Sequence, residues 1–585
     1  MPVHAPRRRA IQPTPSRGLI PRVAFTVAIV LAAPMGVAAD FHVADFGAAG
    51  DGKTDDGAAI QAAIDAAVTA GPGSRVVFDR VPYRLGWRKG VSHQMAIRNT
   101  QDIALEGNGA MLVCHPRNNL ISLAGCSGVS VRGFTVDFDP LPFTQGTISR
   151  VDAEEGWIEV RIQDGYSHPI DAYASQGIEP PGREWGVVFD PTERHRRWDV
   201  PPHFFMRSFT RVPTDTNIVR IDFVDEAKSG LSKVRAGDRY VVTYKLDESG
   251  ANAEIADCGG CLVEDFTIHT AKYGMTFRVE RSVTQNVFRR VRIAFKPGSD
   301  HLISVPKDGF HCKGNRVGPL IEECFFEGLL DDSINVGTCP HWIKKVIAPG
   351  VYAINRNDNG LPAVGDRFTA FTPSRREMAH DLVVTAVTVC EREPDWVEVR
   401  FDREIPAPVV NDSKNDFPGG REKLRYTGLY NLNASGAGAI VRGSTFREQR
   451  RHAILVRGPG CIIEGNIIDG VGDAGVRLSN EVGSFYEGPV PCDCVIRDNV
   501  FRNTQGVPIV VSSKLTSDAE SYARNIRITS NRIESLSTCC IQASSVDQLE
   551  IVDNIFSICD PDAISPAALD LTNVLNLRLS GNSGP

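Results

Sequence analysis

The sequence predicts an all-β protein: a parallel β-helix with an N-terminal capping helix and two inserted small β-barrel-like domains. Three observations carry this. First, short β-segments recur with an asparagine at a fixed place, as in Ile462-Ile-Glu-Gly-Asn466, Val495-Ile-Arg-Asp-Asn499 and Ile526-Arg-Ile-Thr-Ser-Asn531, then at Asn554 and Asn582. These asparagines fall 33, 32, 23 and 28 residues apart, and β-patterned repeats of that length mean a solenoid. Second, Ile60, Ile64 and Val68 stand at i, i+4 and i+8 after a turn-rich start. A short amphipathic helix of that kind covers the open apolar end of such a stack. Third, residues 141–250 and 340–430 break the period and carry alternating strands instead.

The chain begins with Arg7, Arg8, Arg9, Arg17 and Arg22, then a mostly apolar run from Val23 to Ala39 that ends in small residues. This predicts a secretory signal over 1–39, cleaved before Asp40, and export to the periplasm or medium with no membrane attachment afterwards. Residues 40–140 are expected to hold the cap and first coils, 251–339 further coils, and 431–585 the C-terminal coils. Thr54 and Asp55 are candidate helix caps, and Asp51, Asp55 and Asp56 read as a turn and helix start rather than ligands. The two inserts resemble each other. Gly156-Trp-Ile-Glu-Val-Arg-Ile162 matches Asp395-Trp-Val-Glu-Val-Arg-Phe401, and Gly237-Asp-Arg-Tyr240 matches Gly365-Asp-Arg-Phe368. Inserts on a solenoid map to loops on one face.

With 64 basic against 71 acidic residues, the net charge of −7 gives no basic excess for nucleic acid. Fourteen cysteines would permit disulfides after export. Cys258 and Cys261 form a lone CxxC with no second pair or histidine pair to complete a zinc site. Cys312, Cys324 and Cys461 fall at inward strand positions and read as buried thiols. The recurring asparagines read as structural: Asn tolerates left-handed backbone, and stacked amides can hydrogen-bond as a ladder.

The chemistry centres on Lys307-Asp-Gly-Phe-His-Cys312 and Asp331-Asp-Ser-Ile-Asn-Val336. Phe310 and Cys312 alternate behind Asp308 as Ile334 and Val336 alternate behind Asp332. Matching these inward residues stacks Asp332 on Asp308, one strand spacing of about 4.8 Å away, puts Asp331 at the turn before the strand, and stacks Asn335 on His311 facing out. Three carboxylates at one point raise at least one pKa. A glycosidase needs that, with one acid protonated and another ionised to activate water. The second insert starts a few residues after Asp332 and is expected to wall this site.

Two resemblances add to this reading. Asp45-Phe-Gly-Ala-Ala-Gly-Asp-Gly-Lys-Thr-Asp-Asp56 resembles the N-terminal signature of the pectate-lyase-like superfamily, which implies a right-handed parallel β-helix. Asp308-Gly-Phe-His311, Ile321-Glu-Glu-Cys-Phe-Phe326 and Asp331-Asp-Ser-Ile-Asn335 together resemble the catalytic core of glycoside hydrolase family 110, inverting α-1,3-galactosidases. Arg450-Arg-His-Ala-Ile-Leu-Val456 and Phe485-Tyr-Glu487 are similar to two further motifs. However, His452 replaces an arginine, Phe485 replaces a tryptophan, and Gly337-Thr-Cys stands where a histidine is usual. These departures leave sugar and linkage open. The resemblance implies a carbohydrate substrate, an α-galactoside. It also implies Asp331 as general acid, Asp308 and Asp332 as the pair that activates water, and Arg450 and Glu487 at the substrate. With all three aspartates in acid–base roles and no His/Cys cluster nearby, no cofactor and no metal are expected. An inverting pair would stand roughly 6.5–9.5 Å apart. His311, Asn335 and Arg278 are further outward-facing candidates for sugar hydroxyls.

Three other readings stay open. A polygalacturonase-like hydrolase spaces its aspartates similarly, but its Gly-His-Gly and Arg-Ile-Lys motifs are missing here. A polysaccharide lyase would use the aspartates as Ca²⁺ ligands. A non-catalytic glycan-binding β-helix would carry a trimer-forming tail, which the C-terminus lacks.

Overall fold

The computed structural model describes residues 38–584 apart from 181, 183, 247–249, 358, 375–376, 390–392, 394, 412–424, 483–484, 515–521, 538 and 559–567. Nearly all of the expected signal segment, residues 1–37, lies outside the described residues. No helix among the described residues is long and apolar enough to cross a membrane.

The core is a parallel β-helix whose coils stack strand on strand. One column runs Phe277, Phe310, Ile334, Ile454, Val476 and Ile509, each the in-register partner of the next. All are fully buried, and the Phe277 and Phe310 rings stack at 4.7 Å. A parallel coil buries such a column continuously, because each side chain meets its counterpart one strand away rather than water.

The capping helix α1 (Gly57–Ala70) buries Ile60, Ala63, Ile64 and Ala67 against this core. Its Gln61 also closes the sheet edge. The side-chain amide donates to the Ala96 carbonyl at 2.9 Å and accepts from the Ala96 N–H at 2.8 Å, satisfying backbone groups that an open edge would leave unpaired. The residue at the helix start is Asp56, one beyond the expected Thr54 and Asp55. Its carboxylate accepts from the Ala49 N–H at 2.6 Å, while Asp55 accepts from Gly57 N at 3.1 Å and Asp51 closes its own turn.

The asparagines form the expected ladder. Asn466 donates to Asn499, Asn499 to Asn531, Asn531 to Asn554 and Asn554 to Asn582, at 2.9 to 3.0 Å. The left-handed residue, however, is the one before each Asn: Gly465, Asp498, Ser530, Asp553 and Gly581. The asparagine itself is needed for its amide, which bridges coils while its backbone stays in an ordinary region.

A second ladder was not foreseen. Glu106, Arg132, Glu264, Arg289, Glu322, Arg442, Glu464 and Arg497 occupy one register position on successive coils, alternating in sign. Ion pairs of 2.5–3.7 Å join most steps. Opposite charges directly across a strand pair add a few tenths to about 1 kcal/mol each, and a slip of register would set them against other neighbours.

Both inserts are closed six-stranded antiparallel barrels. The strands of the first run from Phe143–Asp152 to Arg239–Thr243, and those of the second from His341–Ala348 to Gly428–Asn431. Each has its own apolar core. Cys312, Cys324 and Cys461 are buried free thiols, as expected.

Candidate active site

Strand Phe310–Lys313 pairs in parallel with Ile334–Gly337, with Phe310 on Ile334, His311 on Asn335 and Cys312 on Val336. This is the register read from the inward residues. It places Asp332 beside Asp308 and Asp331 at the turn. The three carboxylates each offer an oxygen within 4.8 Å of the other two. That is closer than the 6.5–9.5 Å expected between the acid and base of an inverting pair.

The three differ in surroundings. Asp308 and Asp332 are buried, while Asp331 opens partly to the cleft. Burial, then the Asp331 and Asp332 charges, pushes Asp308 well above the ordinary carboxylate range. Burial and the Asp331 charge push Asp332 up to about 6, against the pull of Arg451 and Arg457. Asp308 and Asp332 therefore keep their protons to higher pH than isolated carboxylates would, as coupled groups.

Cations surround the acids. Arg450 stands 3.3 Å from Asp331, and Lys307 stands 3.7 Å from it. Arg451 Nε lies 3.7 Å from Asp331 and 3.6 Å from Asp332. The His452 backbone N–H donates to Asp332 at 3.3 Å. Three clustered carboxylates are also a donor set that suits a hard cation; here the guanidinium and ammonium groups already supply opposing charge.

Beneath the cleft lies a buried network. Lys313 Nζ donates to Asn335 Oδ1 at 2.9 Å and contacts Glu487 at 3.1 Å. Arg457 donates to the same Asn335 oxygen at 2.8 Å and contacts Glu487 at 2.9 Å. Both bonds on the carbonyl oxygen turn the Asn335 NH₂ toward Asp332, 3.5 Å away. Although burial opposes its charge, Glu487 is held down to about 2 by Lys313 and Arg457. Burial lowers His311 to about 3, so its imidazole is neutral, and its Nδ1 has no hydrogen-bond partner.

The cleft above these groups has a volume of about 520 Å³. Asp308, Asp331, Asp332, His311, Asn335, Arg450 and Glu487 all line it; Arg278 does not. Arg278 sits one strand from His311 and pairs with Glu254 and Glu280.

The wall is the first barrel, not the second. Trp185, His203, Phe205 and Lys245 line the cleft, and none of the described residues from the second barrel does. Arg450 joins this wall to the acids. Its guanidinium lies 5.0 Å over the Trp185 ring and 3.3 Å from His203 Nδ1. The second barrel lies behind the Glu487 loop instead. Trp342 stacks on Tyr486 at 5.1 Å, and the Tyr486 hydroxyl donates to the Phe371 carbonyl at 3.1 Å. Sequence proximity to Asp332 pointed to the second barrel because chain neighbours are usually spatial neighbours; here its strands turn toward the far side of the Glu487 loop. Sequence reasoning also missed Trp185, His203, Lys307, Lys313, Arg451 and Arg457. Arg451 adjoins the singled-out Arg450, and Lys313 ends the His311 strand, so both were within reach. Trp185 and His203 carried no such signal.

The fold and site define a β-helix protein with a buried carboxylate cluster at the base of an aromatic-walled cleft. Residues 414–556 match the family model described as right handed beta helix region, and the β-helix is the right-handed kind that the N-terminal signature implies. The chain is similar to alpha-1,3-galactosidase B of Bacteroides thetaiotaomicron, 24% identical over 88% of this chain and 85% of that protein. It is also similar to alpha-1,3-galactosidase A of Streptomyces avermitilis, 22% identical over 89% and 88% of the two chains. The resemblance to α-1,3-galactosidases drawn from the site motifs thus extends over most of the chain. Among solved structures, a family 28 exopolygalacturonase of Yersinia enterocolitica aligns at 12% identity over 92% of this chain and 78% of that one, with a TM-score of 0.39.

Proposed function

We propose that this protein is an exported glycoside hydrolase that removes terminal α-linked galactose from a glycan, with the three aspartates as its acid–base apparatus. The observation that carries this is the cluster itself: three carboxylates within 4.8 Å, two of them buried, lining an aromatic-walled cleft. The name α-1,3-galactosidase on relatives spanning most of the chain supports the choice of sugar.

Asp331, the carboxylate most open to the cleft, protonates the leaving oxygen. Its proton comes from the one the cluster retains. Asp332, raised only to about 6 and so ionised at neutral pH, takes the proton of the attacking water, which Asp308 helps to hold. His311, Asn335, Arg450 and Glu487 bind sugar hydroxyls, and Trp185 holds the Arg450 guanidinium in place. Attack by water inverts the anomeric centre. The short spacing of the carboxylates favours a second reading, in which one of them attacks the sugar and the configuration is retained.

Incubation with a panel of α-galactosides and uronate polymers tests the function. Galactose release is expected from the α-galactosides alone, β as the first-formed anomer by NMR. Release of unsaturated uronates, abolished by chelator and restored by Ca²⁺, would point to a lyase instead. Export rests on the basic and apolar residues before Asp40, and the secreted protein is expected to begin at Asp40 on N-terminal sequencing.

A further inference from the structure

Away from the aspartates, the same cleft is lined by a second set of charged and polar groups. Arg477 pairs with Leu455 on one side, and Leu455 with Asn335 on the next. Arg477 is therefore two strand spacings, about 10 Å, along the axis from Asn335. That is the reach of a neighbouring sugar rather than of the one being cleaved. Around it, Asn480 and Lys514 also line the cleft.

Two donor atoms here lack a hydrogen-bond partner, although the Arg477 Nη2 faces Asp473 at 3.7 Å. Arg477 Nε and Asn480 Nδ2 are buried atoms without a hydrogen-bond partner, and Asn480 is only 2% exposed. The Asn480 carbonyl is already used, accepting from the Lys514 backbone N–H at 2.9 Å. The Lys514 ammonium has no ion-pair partner among the described residues. It is exposed, and partial desolvation and the nearby Arg477 charge lower its pKa against the pull of Glu481.

The acids here, by contrast, are occupied. Glu481 accepts from the Phe485 and Tyr486 N–H groups at 3.0 and 2.6 Å. Asp473 accepts from the Ala474 N–H at 3.1 Å and faces His452 at 3.5 Å and Arg477 at 3.7 Å. Buried donors left unpaired are unfavourable, and two cations with a free amide make a site for an acceptor-rich anion.

We propose that Arg477, Asn480 and Lys514 form a subsite for an anionic group, a carboxylate or a sulfate ester, on the sugar next to the galactose being released. This rests on the glycosidase reading and narrows its substrate to acidic glycans.

The test uses two α-1,3-galactosyl disaccharides that differ only in the second sugar, neutral hexose or uronate, with a sulfated hexose as a third arm. Binding by calorimetry and hydrolysis are measured separately on the secreted protein. The uronate or sulfated form is expected to bind about tenfold more tightly than the neutral one, the worth of one charge-assisted hydrogen bond. That ratio is expected to fall toward one in Arg477→Gln and Lys514→Gln and with rising salt. Preference for one anionic arm identifies the anion. Equal or weaker binding of both anionic forms overturns the subsite while leaving the hydrolase intact. A charge preference in binding without hydrolysis of any arm keeps the subsite and overturns the glycosidase. A preference that survives both substitutions assigns it to other residues and overturns the proposal.

Discussion

Two columns of charge run along the same β-helix and obey opposite rules. In one, Glu and Arg alternate from Glu106 to Arg497, so each carboxylate has a guanidinium above or below it. In the other, Asp308 and Asp332 stand carboxylate on carboxylate, with Asp331 beside them. The stacking geometry is the same, and so is the strand spacing. The first column lowers the energy of the fold and fixes its register. The second raises it, and what it gains is a proton held above the ordinary carboxylate range. A solenoid repeats its backbone position coil after coil, so sequence alone decides whether a column stabilises the fold or does chemistry.

The largest expected effect that separates the columns is on rate. Asp308→Asn, Asp331→Asn and Asp332→Asn should each lower kcat by roughly 10²–10⁴-fold, the worth of a positioned acid or base. On an activated nitrophenyl galactoside, Asp331→Asn should recover in part, because a good leaving group needs little protonation. Rescue of Asp308→Asn instead would move the acid to that residue, where burial holds the proton most firmly.

The next effect is on pH. With Asp332 raised to about 6, kcat/KM should fall about tenfold per unit as pH drops below 6, because the base becomes protonated. A rate flat down to pH 4 would remove Asp332 from that role.

The smallest is on the other column. Glu322 meets Arg289 at 2.7 Å and Arg442 at 2.8 Å, yet both arginines are well exposed, so solvent screens much of the attraction. Glu322→Gln should therefore lower stability by only about 1 kcal/mol in denaturant unfolding, with kcat unchanged. A loss of activity would mean that the ladder reaches the site.

How much of this the sequence discloses follows from distance along the chain. Phe310 and Cys312 lie on one coil and Ile334 and Val336 on the next, with no insert between, so their alternation sets the register of the aspartates directly. The asparagine ladder is as plain, because consecutive coils carry it. The Glu–Arg ladder uses equally ordinary residues, but two barrels interrupt its spacing between Arg132 and Glu264 and between Glu322 and Arg442, which hides the period. Trp185 and His203 reach the cleft through the packing of a whole barrel, which no local pattern encodes. Lys313 and Arg457 look like surface charges at strand ends until Glu487 closes over them from another loop.

The central claim is that the aspartate stack is held against its own repulsion for the sake of chemistry. The measurement that tests it most directly is the unfolding free energy of Asp308→Asn against the parent at pH 7 and pH 4, on protein assayed for galactoside hydrolysis. A carboxyl whose pKa is raised by folding binds its proton more tightly folded than unfolded. Its contribution to stability therefore falls as pH rises from the ordinary carboxylate range, near 4, through its raised value. The amide avoids that loss. Asp308→Asn should thus be inactive yet more stable than the parent at pH 7, and the gap should close at pH 4. An active variant, or an inactive one less stable at pH 7 than the parent, would contradict the account.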